Sequence, residues 1–194
     1  MTHNKQSPAL IKNYNIFDSI IERINSKEKG SHVIVPHICN NVNAFGAGFA
    51  ADVSQKFPEV KMNFHMLGTK AKLGQVQFVS VVKEPTYKHE IIFANMIAQN
   101  NLLSKDNPRP LNYAALVRTM NEVKVYCQTL KKKHEESANV EIHAPKFGSG
   151  LAGGNWDFIA CLIQDIWNDI PVYIYGLQAQ VKPRNVNYKS NQGR

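Results

Sequence analysis

A chain of 194 residues is long enough to bury a full core as one domain without disulfide or metal staples. Hydrophobic residues at 43% and charged residues at 20% exclude intrinsic disorder, and no apolar run approaches the roughly 18 to 20 residues that a membrane helix needs. The net charge of +8, from 23 Lys and Arg against 15 Asp and Glu, favours an anionic ligand.

Half of that charge sits on Lys182, Arg184, Lys189 and Arg194, in a final stretch that carries no acid. The expected organisation is an N-terminal extension over 1–12, one domain over 13–181 and a flexible basic tail over 182–194. The polar start Met-Thr-His-Asn-Lys-Gln-Ser lacks the apolar stretch of a secretory signal, so a cytoplasmic protein is expected. Cys39, Cys127 and Cys161 are odd in number and show no C-x-x-C spacing. They read as reduced thiols, not a disulfide framework or a zinc knuckle.

In chain order, Asn15 to Phe17 reads as a short strand, and Asp18 as the cap of a helix striped by Ile20, Ile21 and Ile24. Val33-Ile34-Val35 reads as a buried strand leading into a loop over His37 to Phe49. From Gly48, residues Ala50, Ala51, Val53 and Phe57 predict a helix that Pro58 ends. Gln75 to Val82 and Ile91 to Met96 read as strands, and Ser104 to Pro110 as a turn-rich loop. The longest periodic segment, about Asn112 to His134, places Leu116, Met120, Val123, Cys127 and Leu130 on one helical face. Lys131 to Lys133 in its last turn suit the helix dipole and read as a solvated end before they read as a nucleic-acid patch. Val140 to Ala144 is a strand, Asn155 caps a helix to Trp167, and Pro171 to Tyr175 is the last strand. The alternation predicts an α/β fold of three layers, α/β/α, around a central mixed, mostly parallel sheet.

Two glycine-rich loops each follow a strand and open a helix: Asn40 to Phe49 and Phe147 to Asn155. They hold Gly46, Gly48, Gly148, Gly150, Gly153 and Gly154, six of the chain's 11 glycines. Without a Cβ, backbone amides form a concave nest, and a helix N-terminus adds partial positive charge. Two such loops on one sheet edge suit a diphosphate. Gly148 to Gly153 also matches G-x-G-x-x-G, but it lies near the C-terminus, and Asp169 precedes the next strand where a dinucleotide fold needs an acid at its end. No G-K-[ST] follows either loop, which excludes a P-loop.

Four segments, in this order, resemble the macro domain, a family that binds ADP-ribose: Val35-Pro36-His37-Ile38-Cys39-Asn40-Asn41, Gly46-Ala47-Gly48-Phe49-Ala50 with Phe57-Pro58, Ala94-Asn95-Met96-Ile97-Ala98-Gln99, and Pro145 to Trp156. The resemblance runs from about Asn13 to Leu177 and is greatest to the branch of yeast-type ADP-ribose 1″-phosphate phosphatases with their bacterial and phage relatives. It implies a macro-domain fold and a site for ADP-ribose or a derivative. Asn15 stands where the family has an aspartate that contacts adenine, beside Ile16. The backbone of Gly46, Ala47, Gly48 and Phe49, and of Ser149, Gly150, Leu151 and Ala152, would hold the diphosphate, with Gly148 also among the ADP-ribose contacts. Asn40 and Asn43 would surround the distal ribose, with Asn41 also among the ADP-ribose contacts, and Tyr175 would pack on the adenosine half, an ordinary core tyrosine being the other reading of that residue.

The same resemblance makes His37, Asn40 and Asn43 the catalytic candidates. His37 matches a histidine implicated in phosphatase chemistry, and an imidazole near pKa 6.5 suits acid–base work. A structural histidine under the loop is the other reading of the same residue. The lysine and aspartate of the branch that cleaves ADP-ribose through a lysine nucleophile are absent, since Ala94 to Gln99 contains no lysine and Ala152 takes the aspartate position. Hydrolysis of ADP-ribose 1″-phosphate or an O-linked ADP-ribose is expected, with binding alone as the alternative. No cofactor, no metal, no membrane or nucleic-acid partner and a monomeric state complete the expectation.

Overall fold

The computed structural model describes residues 9–11, 14–26, 30–84, 89–133 and 139–176. Its elements are β1 (Ala9–Ile11), α1 (Ile16–Ile24), β2 (Ser31–Asn40), α2 (Phe49–Lys56), α3 (Pro58–Leu67), a 3-10 turn at Gly68–Lys70, β3 (Val76–Glu84), β4 (His89–Gln99), α4 (Tyr113–Lys133), β5 (Asn139–Pro145), α5 (Trp156–Ile166) and β6 (Val172–Tyr175). The strands form one sheet in the order β1-β6-β5-β2-β4-β3. Only β3 runs antiparallel to its neighbour.

Parallel central strands are covered on both faces, so they are apolar almost throughout. In β4 only Glu90 and Gln99 escape full burial. Alternation along β2 divides two cores: Ile34 joins Leu116, Met120, Val123 and Ile163 of α4 and α5 on one face, while Val33 and Val35 join Ile20, Val53, Val60 and Phe64 of α1 to α3 on the other. The result is the expected α/β/α sandwich with a mixed, mostly parallel sheet.

Strand order also places a crevice. The chain leaves β2 toward β4 and β3, whereas from the adjacent β5 it leaves toward β6 on the opposite side. The loops that follow β2 and β5 therefore part at the carboxyl ends of neighbouring strands. Open α/β sheets take ligands at such a switch point.

Several local expectations are corrected. Asn15 to Phe17 is not a strand: the Asn15 side-chain oxygen accepts the Phe17 amide at 2.8 Å, so Asn15, and not Asp18, caps α1. Strand β2 does not stop before His37 but continues to Asn40, pairing His37 with Asn95 and Ile38 with Met96. A polar residue inside a strand hides it from pattern reading when its partner lies on another strand. Pro58 does more than end a helix, because it occupies the first turn of α3, where a missing N–H costs nothing. Strand β1 lies within residues 1–12 and pairs with β6, so the sheet begins before residue 13. The basic tail at 182–194 lies outside the described residues. Among the described residues no helix is long and apolar enough to cross a membrane.

Candidate functional site

The first loop is folded by one side chain. Asn40, 8% exposed at the end of β2, accepts the amides of Val42 at 3.1 Å and Ala44 at 3.0 Å, and donates to the Ala44 carbonyl at 2.6 Å. All three bonds pull residues 41–44 back over the strand end. Asn43 then adopts a positive φ of 58°, and its oxygen lies 2.9 Å from Nδ1 of His65. Gly48, at φ 55°, starts α2, and no side chain caps that helix. The Ala51 amide turns back to the Gly48 carbonyl at 3.0 Å, and the Phe49 and Ala50 amides are the helix-start donors that take no side-chain cap. Phe49 stacks on Phe17 at 5.5 Å, which ties the loop's end to the start of α1.

The second loop closes on itself, with the Gly153 amide on the Gly150 carbonyl at 2.9 Å and the Gly154 amide on the Gly148 carbonyl at 2.8 Å. These bonds do not use the amides of Ser149 to Ala152. Helix α5 differs from α2, since Asn155 caps it through the Phe158 amide.

The glycines fall into two groups. A Cβ on Gly154 would stand 2.4 Å from Leu111 and 2.7 Å from the Gly148 carbonyl, and one on Gly153 would stand 2.8 Å from the Pro108 carbonyl. Packing alone demands these glycines. A Cβ on Gly46 or Gly150 would meet nothing within 4 Å. These two border open space, as backbone that receives a ligand must. At Gly48 the nearest neighbour to such a Cβ is Leu151 Cδ1, at 3.7 Å. The two loops therefore face each other across the switch point.

Other candidate residues lie around this crevice in different roles. His37 is 2% exposed, with its ring edge-on to Phe45, Phe49 and Phe93. Burial pushes its pKa down to about 4, against the opposing effect of its bond to Asn95. Asn41 is bonded to the end of β4: its amide nitrogen donates to Asn100 Oδ1 at 3.1 Å, and its oxygen accepts the Asn101 amide at 2.8 Å. Ile16 is buried at 7% exposed. Tyr175 is 3% exposed, with its hydroxyl 2.6 Å from His143 Nδ1 and so directed into the core.

Behind Tyr175, the opposite ring nitrogen of His143 lies 3.2 Å from Glu141, whose carboxylate also takes two bonds from Arg23. Burial raises the Glu141 pKa, but the bonds from His143 and Arg23 outweigh it and hold the group near 2. Sequence reasoning missed Asn95, His65 and Asn100, all brought to the site by pairings remote in sequence. The asparagine pairs at 40–41 and 100–101 were the available signal, because both fall at strand ends. Among the described residues no group of three or more His, Cys, Asp or Glu is placed to hold a metal ion.

No protein-family model matches the chain. An uncharacterized 17.5 kDa protein from the tk-vs intergenic region of Enterobacteria phage T4 is 25% identical over 143 residues, spanning 72% of this chain and 83% of that protein. Among solved structures, a protein of unknown function from Bacteroides thetaiotaomicron is 27% identical, with a TM-score of 0.66 over 89% of this chain and all of the other. A macrodomain protein from Streptomyces coelicolor is 26% identical, with a TM-score of 0.61 over 87% of this chain and 99% of the other. Thermosipho africanus DarTG, solved in complex with ADP-ribose, shares the fold at 17% identity and a TM-score of 0.58, over 90% of this chain and 43% of that one. By strand order, by its paired glycine loops and by these likenesses, the chain has the fold of the macrodomain proteins.

Proposed function

We propose that this chain binds ADP-ribose across the crevice between its two glycine loops. The observation that carries this reading is the approach of Gly48 to Leu151 at the switch point, with Gly46 and Gly150 bordering open space on either side. Amides of Gly46 to Phe49 and of Ser149 to Ala152 would converge on the diphosphate, where an uncapped helix start favours negative charge. The adenosine half would extend toward Asn15 at the start of α1, and the distal ribose toward Asn40, Asn43 and the end of β4. The ADP-ribose complex of Thermosipho africanus DarTG, which shares the fold, supports the ligand class.

The finer proposal is that the protein hydrolyses a derivative at the distal ribose, such as ADP-ribose 1″-phosphate. Asn43 is the better placed of the two asparagines, because Asn40 already uses both ends of its amide in the loop. In this proposal His37 and Tyr175 act from beneath, as supports. Binding without turnover is the second reading, and the burial of a neutral His37 favours it. Calorimetry with ADP-ribose tests the binding. Product analysis after incubation with ADP-ribose 1″-phosphate, O-acetyl-ADP-ribose and ADP-ribosylated protein tests the chemistry, and phosphate release that the protein does not accelerate would leave the binding reading.

A further inference from the structure

Two elements hold the first loop around Asn43. Asn40 of β2 bonds the backbone of Val42 and Ala44, and His65 of α3 reaches the Asn43 side chain, with Nδ1 2.9 Å from Oδ1. An amide oxygen only accepts, so Nδ1 carries the proton and donates. His65 is exposed, yet the helix beneath it is firmly placed. Phe64, beside it in the chain, is fully buried and packs on Phe45 of the loop at 5.3 Å, and Gln77 of β3 donates to the Asn63 carbonyl at 2.8 Å. The imidazole itself lies edge-on to Phe45 at 6.5 Å. Helix α3 therefore presents one N–H to the loop from a rigid base.

The loop does not need this bond to close, because Asn40 already supplies three. What the bond decides is the direction of the Asn43 amide. The oxygen and nitrogen of a carboxamide diverge from one carbon, so an oxygen bound to α3 turns the NH2 group away from that helix. Neither N–H of this group has a partner among the described residues. Asn43 is half-buried at a positive φ of 58°, a conformation that asparagine tolerates better than most residues. Backbone and side chain are both set before any ligand arrives. Without the His65 donor the amide would turn over freely, and a ligand that needs its N–H groups would have to order it on binding.

We propose that His65 is a positioning residue, which fixes the Asn43 amide so that its NH2 group donates to the distal ribose of bound ADP-ribose. The inference rests on the proposed binding of ADP-ribose in the crevice. Its test is calorimetric titration of the full chain with ADP-ribose and with ADP, which keeps the adenosine and diphosphate but lacks the distal ribose. His65→Phe retains a ring against Phe45 and Phe64 and removes only the donor. It should weaken ADP-ribose about fivefold and leave ADP within twofold, whereas His65→Asn, which restores an amide N–H close to the place of Nδ1, should keep most of the preference for ADP-ribose. Asn43→Ala should lose the same preference, and adding His65→Phe to it should cost nothing more. Unchanged ADP-ribose affinity in His65→Phe would overturn the inference. Equal loss of both ligands in that variant would also overturn it, by making His65 a support of the loop. Additive losses in the double variant would overturn it as well, by separating His65 from Asn43. Equal wild-type affinities for ADP and ADP-ribose would overturn it while leaving the diphosphate site standing. Failure of the wild type to bind either ligand would overturn the ADP-ribose reading itself.

Discussion

Nε2 of His37 lies 2.6 Å from Oδ1 of Asn95, between residues that are register partners on β2 and β4. The direction of the bond follows from its neighbours. The Asn95 NH2 group donates to Gln77 Oε1 at 3.0 Å, and Gln77 in turn donates to the Asn63 carbonyl at 2.8 Å. Asn95 must therefore accept from His37, whose Nε2 carries the proton. Nδ1 is left facing the Cys39 thiol at 3.9 Å. This is a satisfied buried chain that crosses β2, β4, β3 and α3, and it holds the strand end from which the first loop springs.

Replacing His37 with Ala should therefore cost about 3 kcal/mol of stability, from the cavity and from the orphaned Asn95 oxygen. ADP-ribose affinity should fall in the same variant, because Phe45 and Phe49 both rest against the imidazole. Denaturant unfolding and calorimetry on one preparation check both. A variant of unchanged stability and affinity that had lost turnover alone would instead make His37 an acid or base at the reacting atoms.

Acid should weaken the fold in two stages whose signs follow from burial and pairing. The folded protein refuses a proton on His37 until about pH 4, whereas the unfolded chain accepts one near its ordinary value of 6.5. The stabilising contribution is full above pH 6.5 and is lost as pH falls toward 4, amounting to roughly 3 kcal/mol. Glu90, lowered to about 2 chiefly by its bond from His32, and Glu141 contribute in the other window. Their share is present above pH 4.5 and is lost as pH falls through about 2. Unfolding midpoints measured from pH 8 to 3 should show the first decline in the wild type and its absence in His37→Gln. A wild-type curve flat from pH 6.5 to 4 would contradict the buried neutral imidazole.

The two groups of glycines should respond oppositely to substitution. Gly150→Glu adds its side chain toward open space and sets a negative charge in the crevice, so the domain should keep its melting temperature while ADP-ribose affinity falls at least a hundredfold. Gly154→Ala forces a methyl group into Leu111 and the Gly148 carbonyl and should cost about 2 kcal/mol or more in unfolding. Unchanged affinity in Gly150→Glu would remove the diphosphate from the second loop.

The legible part of this protein was what repeats or punctuates. Helix α4 announced itself through its apolar period, and Gly46, Gly48, Gly148 and Gly150 through their concentration after apolar runs. What stayed hidden depends on partners distant in sequence. The β2 segment from His37 to Asn40 reads as a polar loop until Asn95, 58 residues on, is seen to pair with His37. The start of α1 was misread because Ile16 and Phe17 favour strands as single residues, while the capping bond from Asn15 decides the matter locally. The sequence pattern also could not separate glycines required by Pro108 and Leu111 from those that border the crevice, because that distinction belongs to neighbours across the fold.

Asn40 offers the sharpest separation of loop-building from chemistry. Its oxygen takes two backbone amides and its nitrogen holds the Ala44 carbonyl, so the side chain keeps at most one N–H for a ligand and, as an amide, has no titrating proton for acid–base work. Asn40→Asp keeps the accepting oxygen but sets a carboxylate against the Ala44 carbonyl, which should open residues 41–44 and shift Asn43 away from His65. ADP-ribose affinity should drop about tenfold, with a stability loss of about 1 to 2 kcal/mol for the lost bond and the repulsion. Any turnover should fall in proportion to binding and show no new pH dependence. Calorimetry and rates measured across pH on the same variant check this outcome: a loss of rate far beyond the loss of affinity would show that Asn40 itself touches the reacting ribose.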